Sequence, residues 1–144
     1  MIEPKQLCRT CGQKKYALAF VGKKCEDCAT PVKVPLKQIG LAAQMAITAA
    51  GRHAKHYGLP FDLNDHRDDI DARFTAARCE VTSMRLDLTA NDRAWNAPRL
   101  RRVNAKKGWV ASNVQVVSHA LDSALGTWGP KKLIEIADAL QRGA

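Results

Sequence analysis

Asn96-Ala-Pro-Arg-Leu-Arg-Arg-Val-Asn104, followed by Lys106-Lys-Gly-Trp109 and Asn113-Val-Gln-Val-Val-Ser-His-Ala-Leu-Asp122, is the stretch whose reading decides the fold. The order of residue types predicts a short strand, a tight basic turn, a second strand and then a helix. Arg99, Arg101, Arg102, Lys106 and Lys107 place five cations between residues 99 and 107, with no acid among them. Guanidinium forks match phosphate oxygens well. These five are therefore the candidate nucleic-acid-binding residues, and a solvated basic turn is the plainer alternative.

The rest of the chain agrees with a polyanionic partner. It has 144 residues, a net charge of +9 and 46% hydrophobic residues. That length allows one compact domain with a small appendage. A basic excess of this size points to nucleic acid. Met1-Ile-Glu-Pro-Lys-Gln6 lacks the apolar segment of a secretion signal. The most apolar run, Ile39 to Ala50, contains Gln44 and Thr48 and is shorter than the roughly 20 residues that span a bilayer. The expected location is the cytoplasm, with no membrane partner.

Five cysteines in a reducing compartment favour metal ligation over disulfides. Cys8-Arg-Thr-Cys11 and Cys25-Glu-Asp-Cys28 are two C-x2-C knuckles. Four thiolates on two facing turns make a closed tetrahedral site suited to structural Zn²⁺, with no open position for catalysis. Two disulfides or a redox pair are the alternatives. Residues 16–21 are expected to form the hairpin that joins the two halves. A segment this small has little core of its own, so metal binding supplies its stability.

Pro31 and Pro35 mark a stiff linker. From Leu36 a helical pattern begins, with Ile39, Ala42, Ala43, Ala46, Ile47 and Ala50 at helical spacing. Gly51 is expected to weaken it and Gly58 to end it. Arg52, His53, Lys55 and His56 suit the negative helix end, and a metal pair at His53 and His56 is not favoured. A second helix should follow, capped by Asn64 or Asp65, with Asp68 and Asp69 in its first turn, Ile70 and Phe74 buried, and an end near Ala77. Residues 78–89 read as a β-hairpin turning near Ser83, with Cys79 buried. Trp95 either packs on the core or stacks on a base. After Pro130 a last helix carries an apolar stripe of Leu133, Ile134, Ile136, Ala137 and Leu140, expected to close the core. Partner binding or dimerisation is its alternative role.

From Gly58-Leu-Pro-Phe-Asp-Leu63 through Cys79-Glu-Val-Thr82 to Asn113-Val-Gln-Val-Val117, the chain resembles phage-type HNH (ββα-metal) endonucleases. The resemblance covers about residues 52–125 and rests on the joint order of the motifs. It implies a β-hairpin and a helix gripping one divalent ion, which stabilises the leaving oxygen while a side-chain base activates water. Pro98, Leu100, Arg102, Gly108, Trp109 and Asn113 match the family pattern, in which the asparagine ties the loop to the helix. By that resemblance Arg101 stands where the family has a metal-ligating aspartate, and Asn104 replaces a second aspartate. Asp122 falls where a helix supplies a ligand, and Ser83 replaces a turn glycine. His119, three residues before Asp122, is the candidate base, with a packed core histidine as its alternative.

The sequence thus predicts an α+β fold: a four-cysteine zinc ribbon or knuckle with linker at residues 1–35, and an HNH-like ββα core with flanking helices at 36–144. The predicted function is nucleic-acid binding on a degenerate HNH endonuclease fold, without cleavage, with DNA favoured over RNA. The resemblance implies a phage-encoded regulator. A first alternative is an active, divergent endonuclease using Asp122 and His119 with Mg²⁺ or Mn²⁺. A second is a protein-interaction module that docks on a host polymerase or other host protein.

Overall fold

The computed structural model describes residues 34–126 and 128–143, together with the backbone of four short strands nearer the N-terminus. These are β1 (Lys5–Leu7), β2 (Lys14–Tyr16), β3 (Phe20–Val21) and β4 (Lys24–Cys25). β1 pairs antiparallel with β2, and β3 with β4. Residues 16–21 are therefore not one hairpin: Tyr16 and Val21 belong to two different ones. The proposed zinc site involves Cys8, Cys11 and Cys28, which lie outside the described residues.

The described body is α+β. It contains α1 (Leu36–Tyr57), α2 (Arg67–Thr75), β5 (Pro98–Arg102), β6 (Val114–Ser118), α3 (His119–Leu125) and α4 (Gly129–Gly143). None of these helices is long and apolar enough to cross a membrane. β5 and β6 pair antiparallel, from Pro98 opposite Ser118 to Arg102 opposite Val114.

α1 forms because alanine and leucine favour helix and its apolar positions repeat at helical spacing. Ile39, Ala43, Ile47, Ala50 and Ala54 make its buried face. The helix ends as expected at Gly58, which adopts φ 63° and ψ 35°. A left-handed residue there lets the chain turn back without steric cost. The helix runs through Gly51 without a break. A β-carbon at that position would come within 3.3 Å of the Phe61 ring, so the glycine lets the ring lie against α1.

α2 buries Ile70 and Phe74 and carries Asp68 and Asp69 in its first turn, as expected. Its N-cap is His66, with no side-chain cap, rather than Asn64 or Asp65. The reason is that residues 62–66 turn on themselves: the Asp65 amide donates to the Asp62 carbonyl at 3.0 Å. Arg67 ties α2 to α1, donating to the Gly40 carbonyl at 2.9 Å and to the Gln44 side chain.

Residues 78–89 form only the tip of the expected hairpin: the Cys79 amide donates to the Met84 carbonyl and the Leu86 amide to the Ala77 carbonyl, each at 2.8 Å. Arg78 opposite Arg85 is the single bridged pair, and the chain reverses between Cys79 and Met84. The turn of this tip is also bonded to β6. The Glu80 amide donates to the Val116 carbonyl at 2.8 Å. The Val116 amide in turn donates to Glu80 Oε2 at 2.7 Å. Arg73 completes this clasp with two bonds to the Glu80 carboxylate, at 2.7 and 2.8 Å, and one to the Val114 carbonyl at 2.6 Å. The outer edge of β6 is thereby tied to α2.

Phe74, Ile47, Leu63, Ile70, Leu86, Val116, Val117 and Cys79 form the fully buried centre. α4 adds nothing to it. None of its residues is buried, and Ile134 and Leu140 are 60% and 69% exposed. The expectation that α4 closes the core is wrong: the buried cluster is built from α1, Leu63, α2, residues 77–88 and the β5–β6 hairpin, without any residue of α4.

Candidate nucleic-acid interface

The loop between β5 and β6 is not a tight turn. Residues 103–113 are organised by the buried side chain of Asn113. Its Oδ1 accepts from the Asn104 amide at 3.0 Å, and its Nδ2 donates to the carbonyls of Asn104 and Gly108 at 3.0 and 2.9 Å. One amide side chain thus holds both ends of the basic loop. Asn104 is a second structural residue: its side chain accepts from the Lys106 amide at 2.9 Å.

The loop is docked onto residues 60–62. The Trp109 amide donates to the Pro60 carbonyl at 2.8 Å, and the Asp62 amide to the Trp109 carbonyl at 3.2 Å. Asp62 then accepts from the Ala111 amide at 2.8 Å. Gly108 is required for this approach, since a β-carbon there would stand 2.3 Å from the Pro60 oxygen. The Leu-Pro-Phe-Asp stretch and the Gly-Trp stretch are therefore two halves of one joint. The Trp109 indole also donates to His53 Nδ1 at 3.1 Å, which fixes the loop against α1.

Between α1 and the hairpin lies a groove of about 640 Å³. Ala42, Met45, Ala46 and Ala49 of α1 line one side, and Ala97, Pro98 and Leu100 contribute to the other. Arg52, Arg99, Arg101 and Arg102 also line it, with Asp92 and Asp122 as its acids. The structure thus brings three of the five predicted cations into one cleft. Lys106 and Lys107 are exposed on the loop and do not line the groove.

Each arginine is held differently. Arg99 donates to His119 Nδ1 at 3.3 Å and to the Asp92 carbonyl. Arg102 donates to the carbonyls of Ala105 and Lys107 at 2.8 and 3.3 Å, and its guanidinium lies 5.2 Å from the Trp109 ring centre. Arg101 faces Asp122 at 3.6 Å. Among the described residues, Arg101 alone of these groove arginines is within ion-pair distance of a carboxylate. Burial pushes the Asp122 carboxyl above its usual range, outweighing the opposite pull of Arg101, Arg99 and His119.

His119 and Asp122 are each engaged by an arginine. Ser118 caps α3 by accepting from the Leu121 amide, and the Ala97 and Trp95 carbonyls accept from the His119 and Ala120 amides. The first-turn amides of α3 are thus satisfied internally. The Trp95 side chain is 55% exposed and does not pack in the core.

The divalent ion that the resemblance implies does not fit these residues. The Arg101 guanidinium faces the Asp122 carboxylate, and Asn104 is spent on its loop. No group of three His, Cys, Asp or Glu side chains able to hold a metal occurs among the described residues. A divalent cation beside Arg101 would meet like charge, at a cost of several kcal/mol at about 4 Å even in a polarisable site.

Sequence reasoning missed Arg52, His53 and Trp109 as parts of the site. The available signal was a second helical stripe on α1, Ala42, Met45, Ala46, Ala49 and His53, beside the core stripe. No family model, curated protein or solved structure matches the chain.

Proposed function

We propose that this protein binds nucleic acid, DNA before RNA, in the groove between α1 and the β5–β6 hairpin, on an HNH-like framework that does not cleave. The observation that carries this reading is the charge balance of the groove. Arg99 and Arg102 give their hydrogen bonds to backbone carbonyls and an imidazole nitrogen rather than to carboxylates, so their charge stays available to phosphate. Arg101 adds a third cation, which faces Asp122 at 3.6 Å. The same cation disfavours a metal and favours a phosphate oxygen at one point in space.

The test is electrophoretic retardation of a single-stranded oligonucleotide and of a plasmid across a salt series, with Mg²⁺ or Mn²⁺ added in parallel. Binding should weaken linearly with the logarithm of salt, and Arg101→Ala and Arg102→Ala should each lower the slope by about one. Salt-independent binding, or variants with unchanged slopes, would refute the reading. Nicking that disappears in Asp122→Ala would instead make this an active endonuclease using Asp122 and His119.

Cys8, Cys11, Cys25 and Cys28 are proposed to hold one structural Zn²⁺, on ligand type and spacing alone. Metal analysis should find it in the purified protein and miss it in Cys25→Ser. A second reading, docking on a protein partner, is favoured by the exposed Ile134, Ile136 and Leu140 side chains of α4.

A further inference from the structure

The groove has a composition that phosphate binding alone does not explain. A surface that only tracks a phosphate backbone needs cations at intervals and nothing apolar between them. Here the arginines alternate with apolar wall. Ala42, Ala46 and Ala49 of α1 face a cleft whose other side includes Ala97, Pro98 and Leu100. Small side chains leave space between the walls, and that space is about 640 Å³. This lies within the roughly 300–1,000 Å³ of sites that enclose small molecules. A base can enter a cleft of that size, whereas the stacked, paired bases of a duplex cannot. The Arg102 guanidinium also lies over the Trp109 ring at 5.2 Å, a planar cation at the groove wall on which a base can stack.

Resting on the nucleic-acid reading above, we infer that the groove takes single-stranded nucleic acid, with bases inserted against the alanine wall of α1 and phosphates on Arg52, Arg99 and Arg101. Arg52 is exposed at the groove edge, one turn beyond Ala49, and makes no ion pair with a described residue. The hairpin arginines stand across the cleft from it. A strand laid along the groove is then contacted by cations on both sides while its bases face apolar wall. A stacking platform combined with a cationic track is what sequence-tolerant single-strand binding uses. Duplex remains able to touch the rim through Lys106 and Lys107, which are exposed on the loop outside the groove.

The experiment is fluorescence anisotropy with the full-length, zinc-loaded chain. The probes are a labelled mixed-sequence oligonucleotide and the same strand annealed to its complement. The single strand should bind about tenfold tighter than the duplex, the equivalent of stacking one base. Ala49→Leu narrows the groove without changing charge, on an exposed helix position outside the core. It should weaken single-strand binding by about tenfold and duplex binding by less. Arg52→Gln provides a second variant that touches no packing, and it should lower the single-strand salt slope by about one. Equal or tighter binding of duplex, with both variants neutral, overturns the single-strand inference and leaves nucleic-acid binding standing. Absence of binding to either probe at low salt overturns both.

Discussion

Gly108 shows how much one residue controls here. Its missing side chain lets the Pro60 carbonyl approach, and two stretches far apart in sequence close into one joint. Gly108→Ala forces that oxygen away from a β-carbon and should cost about 2 kcal/mol or more, read as a lowered midpoint in urea unfolding. Ser83 makes the opposite case. It sits at φ 58°, a region that carries a penalty for any residue with a β-carbon. Ser83→Gly should raise stability by about 0.5–1 kcal/mol in the same assay, the relief of the left-handed strain less the backbone entropy of glycine. The positive φ at Ser83 also agrees with the turn position assigned to it from sequence. Asn113 is expected from the HNH pattern to tie the loop to the helix; its amide, which can both donate and accept, instead ties the loop to itself through Asn104 and Gly108. The role of Asn104 was not legible, because its bond to Lys106 exists only once the loop is closed.

At the scale of elements, the Arg73–Glu80–β6 clasp anchors the short hairpin tip of residues 77–86 to the strand beside it. Burial alone would push the Glu80 carboxyl up, but the bonds from Arg73 and from the Val116 amide outweigh it and hold Glu80 below its usual range. A carboxylate with a depressed folded-state pKa stabilises the fold above its unfolded value, near 4.5, and loses that contribution as pH falls through the folded value. Glu80→Gln should therefore destabilise at neutral pH by about 1–3 kcal/mol, discounted toward the lower end because the side chain is partly exposed. The gap between variant and parent should close as the pH of a denaturation series falls below 4.5. Asp122 has the opposite sign. Its raised pKa favours the protonated form in the fold, so its contribution is present below 3.8 and is lost as pH rises through the folded value. Asp122→Asn should gain stability relative to the parent as pH rises, measured in the same series.

For the molecule as a whole, the described fold divides into a packed body and an unpacked α4. No residue of α4 is buried, so ending the chain at Gly126 should leave the unfolding free energy within about 0.5 kcal/mol of the parent, the ordinary range for surface changes. A large loss would mean that α4 packs in solution. The same truncation separates the functional readings. Nucleic-acid binding by the groove should survive it, whereas capture of a protein partner through α4 should not.

The helical periods of α1 and α2, the stop at Gly58, the strand–loop–strand–helix order of residues 96–125 and the burial of Cys79 followed from the sequence alone. Each rests on local spacing, backbone freedom or residue polarity, which neighbours along the chain determine. The tertiary structure decided the rest. Where the hairpin tip of residues 77–86 meets β6 depends on which acceptor the fold brings to the Glu80 amide. Whether the stripe on α4 is core depends on how much apolar surface the other elements leave uncovered. The groove depends on both kinds of information. Its hairpin arginines are close in sequence, but the alanine wall and Arg52 join them only because α1 packs beside the β5–β6 hairpin, a juxtaposition that no local pattern encodes.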